Sequence, residues 1–372
     1  MMQESKKRLR FGQVGCGDIA QIRYFPSYPV ARYSELGAVC DAKAGRLDRL
    51  RTVFPEAACY DSYHQLLQDQ SVDAVVITTP PSTHRVIATE AAQAGKHILL
   101  EKPMALALED ADAIIAAAET AGVSLLAMPF DQLRTLTETK RIIQEGRIGR
   151  PVSFEAAAVH NGTNHSPWFY RRGGGVLSDL AIYPISWITG LAGAAARVSA
   201  ISSIVVPERT MLDGSVVSSE VEDNLVLTLQ WNDGTSAAIT SNCTTGGLGE
   251  VYQAGSWRGK RIFSMNIYGR EGFIHLNFDD HLIAVSAGRS YPRDQEGSFG
   301  DLIGFSPRLT KYSELSERTG NGPEILDYFC QNIVGRKSLH RSVYQQRHVV
   351  EIIERAQISI ESGTVQPLTT KF

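Results

Sequence analysis

The 372 residues are 43% hydrophobic and 21% charged, an ordinary globular balance with enough apolar material for a sizeable core. A net charge of −3 with both signs interspersed gives no bulk attraction to nucleic acid or to an anionic membrane, and a small neutral or anionic ligand is expected. At roughly 100–200 residues per domain, the length predicts two or three domains.

The chain begins polar, then basic, and passes directly into a strand (MMQESKKRLRFGQVG), with no apolar signal-peptide core. Up to residue 128, short apolar runs alternate with helical segments. The runs are Leu9–Gly15, Glu35–Asp41, Ala74–Thr79, His97–Lys102 and Ser124–Met128. Ser82 and Thr83 are expected to cap a helix through Arg85–Ala94, which Gly95 ends. The next helix starts near Glu109, carries Ala111, Ile114, Ile115 and Ala118 on one face, and stops at Gly122. Apolar strands joined by helices imply parallel βαβ units in a doubly wound sheet buried on both faces.

After Met128 the texture changes, and residues 129–372 are expected to form a second, α+β domain. A helix from Leu133 to Glu145 ends at Gly146, and β-type segments follow. The stretch Ala181–Ala196 is apolar but holds Tyr183, Pro184 and Ser186, and is too short to span a bilayer. Leu225, Leu227, Leu229 and Trp231 alternate with polar neighbours, the period of a half-buried strand. Asn232-Asp233-Gly234 predicts a hairpin back into AAITSN, and Gly269–Gly272 a second one joining FSMNIY to FIHLNF. The expectation is a large, mainly antiparallel sheet with one open face, a surface suited to a homo-oligomer, dimer or tetramer. Ala287–Pro323, rich in Gly, Ser, Pro and charge, reads as a long surface loop or insertion. Two helices, near Glu324–Val334 and Ser342–Ser362, close the chain.

Cys16, Cys40, Cys59, Cys243 and Cys330 form no CxxC pair and no His cluster has ligand spacing, so neither a metal site nor a disulfide framework is expected. A reducing, cytoplasmic setting follows.

The chemistry concentrates at strand ends, where open parallel sheets bind ligands. Gly15-Cys16-Gly17-Asp18-Ile19-Ala20 follows the first strand and opens a helix. Gly15 permits the tight turn and Gly17 a close approach of backbone to a pyrophosphate, while Ala20 is small enough for helix–strand packing. The helix N-terminus would offer free N–H groups to the phosphates. Asp41, ending the second strand, stands where a carboxylate binds ribose hydroxyls. It favours NAD over NADP, a preference that Lys43 and Arg46 soften. Residues 1–128 therefore read as a Rossmann dinucleotide-binding domain. Thr79-Pro80-Pro81-Ser82-Thr83-His84 and Glu101-Lys102-Pro103 follow the fourth and fifth runs and would hold side chains beside the nicotinamide. Lys102 is a candidate proton donor or substrate orienter; His84 is a candidate cap or nucleotide contact.

GCGDIA at 15–20, TTPPSTH at 78–84, EKPMAL at 101–106 and GGGVLSDLAIYPI at 173–185 resemble the Gfo/Idh/MocA family of NAD(P)-dependent sugar and cyclitol oxidoreductases. The resemblance covers nearly the whole chain. It implies Lys102 as the catalytic lysine and Asp179 as the aspartate that binds substrate near the reacting carbon. Tyr183 falls where many members place a catalytic histidine, and Ala181 and Ser186 also depart from that D-x-G-x-H-x-x-D pattern. A branch resembling glucose–fructose oxidoreductase and dihydrodiol dehydrogenase has a tyrosine there. A tyrosine of ordinary pKa about 10 is a poor base at neutral pH, but a neighbouring ammonium favours phenolate, and Lys102 is its natural partner.

His160, Asn161, Asn164, His165, Trp168 and Tyr170 crowd the preceding stretch, a polar and aromatic mix suited to a sugar's hydroxyls and C–H faces. Of these, His160, His165 and Trp168 join Asp179 and Tyr183 as substrate candidates. Arg134 reads either as reaching the cleft or as a solvent-facing helix residue, and Gly173–Gly175 is expected to let backbone approach a ligand. The resulting expectation is hydride transfer between nicotinamide and a hydroxyl or carbonyl carbon of a sugar, glycoside or cyclitol. Two alternatives stand beside it: a glycosidase with transient redox of bound NAD, and a non-enzymatic nucleotide-binding regulator.

Overall fold

A computed structural model describes residues 8–129, 134–164, 166–244, 262–278, 282–287, 308–311 and 322–372. Six short strands form the first sheet: β1 (Leu9–Val14), β2 (Ser34–Cys40), β3 (Ala58–Tyr60), β4 (Ala74–Ile77), β5 (His97–Leu100) and β6 (Leu125–Ala127). All pairings are parallel, in the order β3-β2-β1-β4-β5-β6. Between them lie α1 (Ala44–Val53), α2 (Tyr63–Gln68), α3 (His84–Gln93) and α4 (Leu108–Ala121). Every residue of β4 is buried, as continuous apolar strands require when helices cover both faces. The order reverses between β1 and β4, and the crevice at such a switch point is where doubly wound sheets hold ligands.

Two local details differ from the sequence reading. The helical turn after the glycine loop, Ala20–Tyr24, is π-helical and short rather than a regular α-helix. No side chain caps α3: a 3-10 turn over Pro81–Thr83 leads into it, and the Thr83 hydroxyl is occupied by Thr79 Oγ1 and the Pro80 carbonyl, each at 2.7 Å. Proline at the start of that turn needs no N–H partner, which replaces the cap.

The second unit contains α5 (Arg134–Gln144), β7 (Pro151–Val159), α6 (Gly175–Asp179), α7 (Ile182–Ala192), β8 (Arg197–Ser203), β9 (Glu208–Thr210), β10 (Val216–Ser218), β11 (Asn224–Gln230), β12 (Ser236–Asn242), β13 (Ile262–Gly269), β14 (Gly272–Asn277) and β15 (Leu282–Ala287). It continues through β16 (Arg308–Lys311), α8 (Gly322–Val334), α9 (His340–Ser362) and β17 (Gln366–Pro367). Nine strands pair in the order β16-β15-β14-β13-β7-β12-β11-β8-β17, and β9 and β10 form a separate ribbon. Both expected hairpins, β11–β12 and β13–β14, are present. The β7–β12 pair alone among these described pairings runs parallel, so the sheet is mixed and mainly antiparallel. Leu225, Leu227 and Leu229 face the core while Val226, Thr228 and Gln230 are exposed.

The stretch Ala287–Pro323 is more than a loop: β16 lies within it and pairs with β15, completing the sheet edge. Arg308–Lys311 has no run of alternating hydrophobics, so only the neighbouring strand's backbone makes it extended. The rest of that stretch lies mostly outside the described residues.

The two sheets organise two cores. The chain returns to the first one, because Ile325, Leu326, Phe329 and Cys330 of α8 pack there, joined by Val343 and Val350 of α9. Val349, Ile352 and Ala356 on the other side of α9 pack in the second core. No helix among the described residues is long and apolar enough to cross a membrane.

One buried carboxylate anchors the chain end to α9. Glu351 is fully buried and accepts hydrogen bonds from the N–H and hydroxyl of both Thr369 and Thr370, at 2.6–2.9 Å. Burial alone would raise its pKa, but His348 and the two threonines hold it well below the usual carboxylate range. A depressed carboxylate stabilises the fold above its unfolded pKa, about 4.3, and that contribution is lost as pH falls through the lower folded value. Glu351→Gln is expected to lower unfolding free energy at neutral pH by about 2–4 kcal/mol. The gap from wild type should narrow on acidification below pH ~4. Urea melts at both pH values check this, and equal midpoints at neutral pH would remove Glu351 from the anchor.

Candidate active site

The first four functional positions follow four neighbouring strands: Gly15 after β1, Asp41 after β2, Thr79 after β4 and Lys102 after β5. Gly15 has φ +88°, and a Cβ there would lie 3.0 Å from the Thr78 carbonyl, so the turn admits only glycine without strain. Its own carbonyl accepts from the Thr78 hydroxyl at 2.6 Å and from buried Gln13 at 3.2 Å, which ties the loop to the end of β4. Over Gly17, by contrast, a Cβ would find nothing nearer than the Arg46 guanidinium at 3.8 Å. This leaves space for a phosphate against the backbone.

Asp41 is buried, and its carboxylate accepts from Cys16 N–H (2.8 Å), Lys43 N–H (2.8 Å) and Arg46 Nη1 (3.1 Å). A carboxylate has roughly four acceptor positions, so one remains for a ribose hydroxyl. Cys16 is inert here: burial, with the Asp41 charge beside it, pushes its thiol up to about 12. Asp18 Oδ2 accepts from Ser166 Oγ at 3.1 Å, joining the glycine loop to the loop that precedes α6. Ile19 and Ala20 follow into the π-helical turn, with Ala20 fully buried. The fit to a dinucleotide thus rests on an open glycine backbone, a held carboxylate and a conformationally fixed turn.

Glu101 does not face the cleft as a free acid. It is buried, and its Oε1 accepts from Arg23 Nη1 (2.6 Å) and Tyr24 Oη (2.9 Å), while Oε2 accepts the Lys102 N–H (3.0 Å). Burial would lower the Arg23 pKa, but Glu101 more than reverses that and keeps the guanidinium charged. His84 is likewise fully buried, with Nδ1 2.9 Å from the Pro103 carbonyl and Nε2 3.0 Å from the Thr79 carbonyl.

Lys102 is brought to Asp179, 77 residues on: its Nζ donates to the Asp179 carbonyl at 3.0 Å and, as a short ion pair, to Oδ1. The two side chains are 11% and 20% exposed, so the pair is half-shielded yet reachable from the cleft. Burial alone would push the ammonium toward neutrality, but Asp179, then Tyr183, then Glu101 outweigh it and raise the pKa. Lys102 therefore stays cationic. Its Nζ lies 5.1 Å from the centre of the Tyr183 ring. The sequence reading made the ammonium a partner of the phenol; in the structure it is bonded to the aspartate and lies over the tyrosine face.

Asp179 ends α6 and Tyr183 enters α7, four residues apart across a short break, which aims both toward Lys102. The Tyr183 ring is wedged against Phe263 (5.5 Å between centres) and Trp187 (6.1 Å), and Trp187 stacks on Phe278 at 3.7 Å. This aromatic wall fixes the ring while leaving the residue partly exposed.

Gly174 and Gly175 are small for a different reason than expected. A Cβ on Gly174 would collide with the Phe169 carbonyl, and one on Gly175 would meet Glu222 Oε1 at 2.6 Å. They permit packing within the protein rather than approach to a ligand. Tyr170 is also structural: it is buried, accepting from Thr163 N–H and donating to Thr163 O. His160 Nδ1 accepts from Gly162 N–H, and Trp168, in the 3-10 turn Pro167–Tyr170, is 44% exposed. Thr79 and Pro80 form the turn after β4. His165 lies outside the described residues, as does the side chain of Arg134, which begins α5. Among the described residues no group of three His, Cys, Asp or Glu is placed to hold a metal ion.

Arg23, Tyr24 and Ser166 were not identified from the sequence. The only cue for the first two was a cation and a hydroxyl one turn beyond the glycine loop, opposite a strand-end glutamate. Nothing local marks Ser166.

Residues 9–128 match the oxidoreductase family described by its NAD-binding Rossmann fold, and residues 136–275 match the GFO/IDH/MocA C-terminal domain. The two together take in well over half of the chain, which belongs to the Gfo/Idh/MocA oxidoreductase family. Levoglucosan dehydrogenase of Pseudarthrobacter phenanthrenivorans is 27% identical over 234 residues, 58% of each chain. D-apiose dehydrogenase of Paraburkholderia graminis is 31% identical over 205 residues, 54% of each. The chain thus spans little more than half the length of these curated relatives. A solved levoglucosan dehydrogenase in complex with NADH and levoglucosan superposes with a TM-score of 0.80 at 22% identity, covering 98% of this chain and 100% of that one, a likeness of fold.

Proposed function

We propose that this protein is an NAD(P)-dependent dehydrogenase or reductase acting on a hydroxyl-bearing carbon of a sugar, glycoside or cyclitol. The observation that carries the reading is the Lys102–Asp179–Tyr183 cluster, assembled from the turn after β5, α6 and α7. Bound nicotinamide would supply the hydride acceptor or donor. Lys102 holds a fixed positive charge where an alcohol oxygen gains negative character, lowering the barrier electrostatically. Asp179 orients that ammonium and accepts a substrate hydroxyl. Tyr183 Oη takes or gives the hydroxyl proton. Trp168 and His160 would meet the sugar's C–H face and outer hydroxyls, with His165 in the same loop.

Gly15, Gly17, Asp18, Ile19, Ala20, Asp41, Thr79 and Pro80 would line the cofactor, with Glu101 and His84 acting from behind. Asp41 favours NAD, and Arg46 leaves room for NADP. Asp41→Ser is expected to raise KM for NAD about tenfold, one lost charge-assisted hydrogen bond, and to narrow the preference over NADP. An unchanged NAD-to-NADP ratio of kcat/KM would take Asp41 out of cofactor choice.

In this reading residues 1–128 bind the dinucleotide and 129–372 bind substrate and assemble subunits. The outer face of the nine-stranded sheet exposes Ile201 (70%), Val226, Ile262 and Phe273 among serines and threonines, a surface suited to a second copy of the chain. Ile201→Asp with Phe273→Asp should reduce the mass measured by light scattering; an unchanged mass would move the interface elsewhere. The five free thiols fit a reducing cytoplasm.

The test is absorbance at the reduced-nicotinamide band with NAD or NADP against aldoses, anhydrosugars, cyclitols and glycosides. Growth of signal that depends on Lys102 supports the reading. A flat trace accompanied by sugar release would favour transient redox.

A further inference from the structure

His84 is fully buried at the start of α3, yet its imidazole is not packed as an apolar group. Nδ1 lies 2.9 Å from the Pro103 carbonyl and Nε2 3.0 Å from the Thr79 carbonyl. Those carbonyls belong to two different strand-end turns. Thr79 sits in the turn after β4, on the cofactor side, and Pro103 follows Lys102 directly. We infer that His84 is a positioning residue for Lys102, a cross-tie that holds the lysine's turn at a set distance from the cofactor turn. The inference rests on the reading of Lys102 as the acting cation.

The chemistry of the contacts favours a tie over simple filling. A neutral imidazole has one N–H and one lone pair, so it satisfies one carbonyl and faces the other with a lone pair. Placed on Nδ1, that N–H bonds the Pro103 carbonyl, and the chain segment that carries His84 is itself the turn after β4, so one hydrogen bond ties the two turns. The Glu101 carboxylate is the charged group that faces His84, and it is itself held by Arg23, Tyr24 and the Lys102 N–H. Burial holds the imidazole pKa below its ordinary value, outweighing the Thr79 and Pro103 carbonyls and the Glu101 charge, so the ring is neutral. The same carboxylate therefore touches the lysine's backbone and neighbours the histidine that grips the next residue. Lys102 is held from both sides of its peptide, and from that position its ammonium meets Asp179.

His84→Leu keeps most of the volume and removes both nitrogens. Catalytic groups displaced by about 1 Å lose on the order of 100-fold in rate, so kcat should fall by about 10–100-fold. NADH affinity, read by fluorescence, should stay within a few-fold, because His84 is fully buried and its ring nitrogens face protein carbonyls. His84→Gln, which restores N–H donors, should recover part of the lost kcat. An independent readout is the alkaline titration of the Lys102 ammonium, followed by NMR of side-chain-labelled lysine and assigned with Lys102→Met. Loosened from Asp179, that ammonium should titrate at lower pH in His84→Leu than in wild type. An unchanged Lys102 titration would overturn the tie, as would a fall in kcat matched by lost NADH binding. If wild type turns over no sugar, the titration still decides the tie while the dehydrogenase reading fails by itself. If the leucine variant does not fold, the glutamine variant's titration decides.

Discussion

Lys102→Met is expected to lose turnover by about 10²–10⁴-fold while still binding NADH. The cation in wild type donates to the Asp179 carbonyl and carboxylate, while the Lys102 backbone N–H donates to the Glu101 carboxylate; methionine restores the stem's length without charge. NADH binding should survive because the glycine loop, Asp41 and Thr79 are untouched and lie on other strand ends. The fold should survive as well: the Asp179 side chain keeps 20% exposure, so water can solvate the carboxylate left behind. Lys102→Arg tests whether charge alone suffices. A planar guanidinium cannot occupy the compact place of an ammonium between an aspartate and a tyrosine face, so little recovery is expected. Steady-state kinetics beside NADH fluorescence titration measures both parts. Near-normal kcat in the methionine variant would remove Lys102 from the reaction.

Tyr183→Phe should cost about as much, 10²–10⁴-fold in kcat, with a thermal midpoint close to wild type. Only the phenol oxygen is lost. The ring contacts with Phe263 and Trp187 carry the packing, and both remain. Tyr183→His is the informative companion. It returns a proton-transfer group of ordinary pKa about 6.5 to the position, so part of the rate should come back. That variant's rate for alcohol oxidation should fall below pH ~6.5, where the imidazole is already protonated and cannot accept the hydroxyl proton. A phenylalanine variant with full activity would reduce Tyr183 to a wall of the cleft.

Much of the nucleotide half was legible because its determinants are local. Gly15 and Gly17 announce a backbone conformation, the apolar runs announce buried strands, and Gly122 announces a helix end. The paired residues Lys102 and Asp179 were individually legible through motifs, since each sits in a patterned stretch. The edge strand Arg308–Lys311 was not, because its extended shape comes from hydrogen bonds to β15 and its side chains have no alternating pattern. Gly174 and Gly175 were legible as special but not for their reason, which is the proximity of Phe169 and Glu222. The Thr83 cap failed for a related cause: Pro80 and Thr79 compete for the same hydroxyl at shorter range.

Sequence alone determined the parallel sheet, the glycine loop after β1, the acid after β2 and the lysine after β5, because each is set by the pattern within its own strand–turn–helix unit. Only the tertiary structure decided how those groups are charged and held. The Lys102 ammonium is bound by an aspartate 77 residues away, Glu101 is spent on Arg23 and Tyr24, and the His84 ring lies between the Pro103 and Thr79 carbonyls. The physical reason is that ionisation and hydrogen bonding depend on burial and on neighbours a few ångströms away in space. Those neighbours come from α6, the π-helical turn and the ends of separate strands, and no local pattern along the chain specifies their meeting.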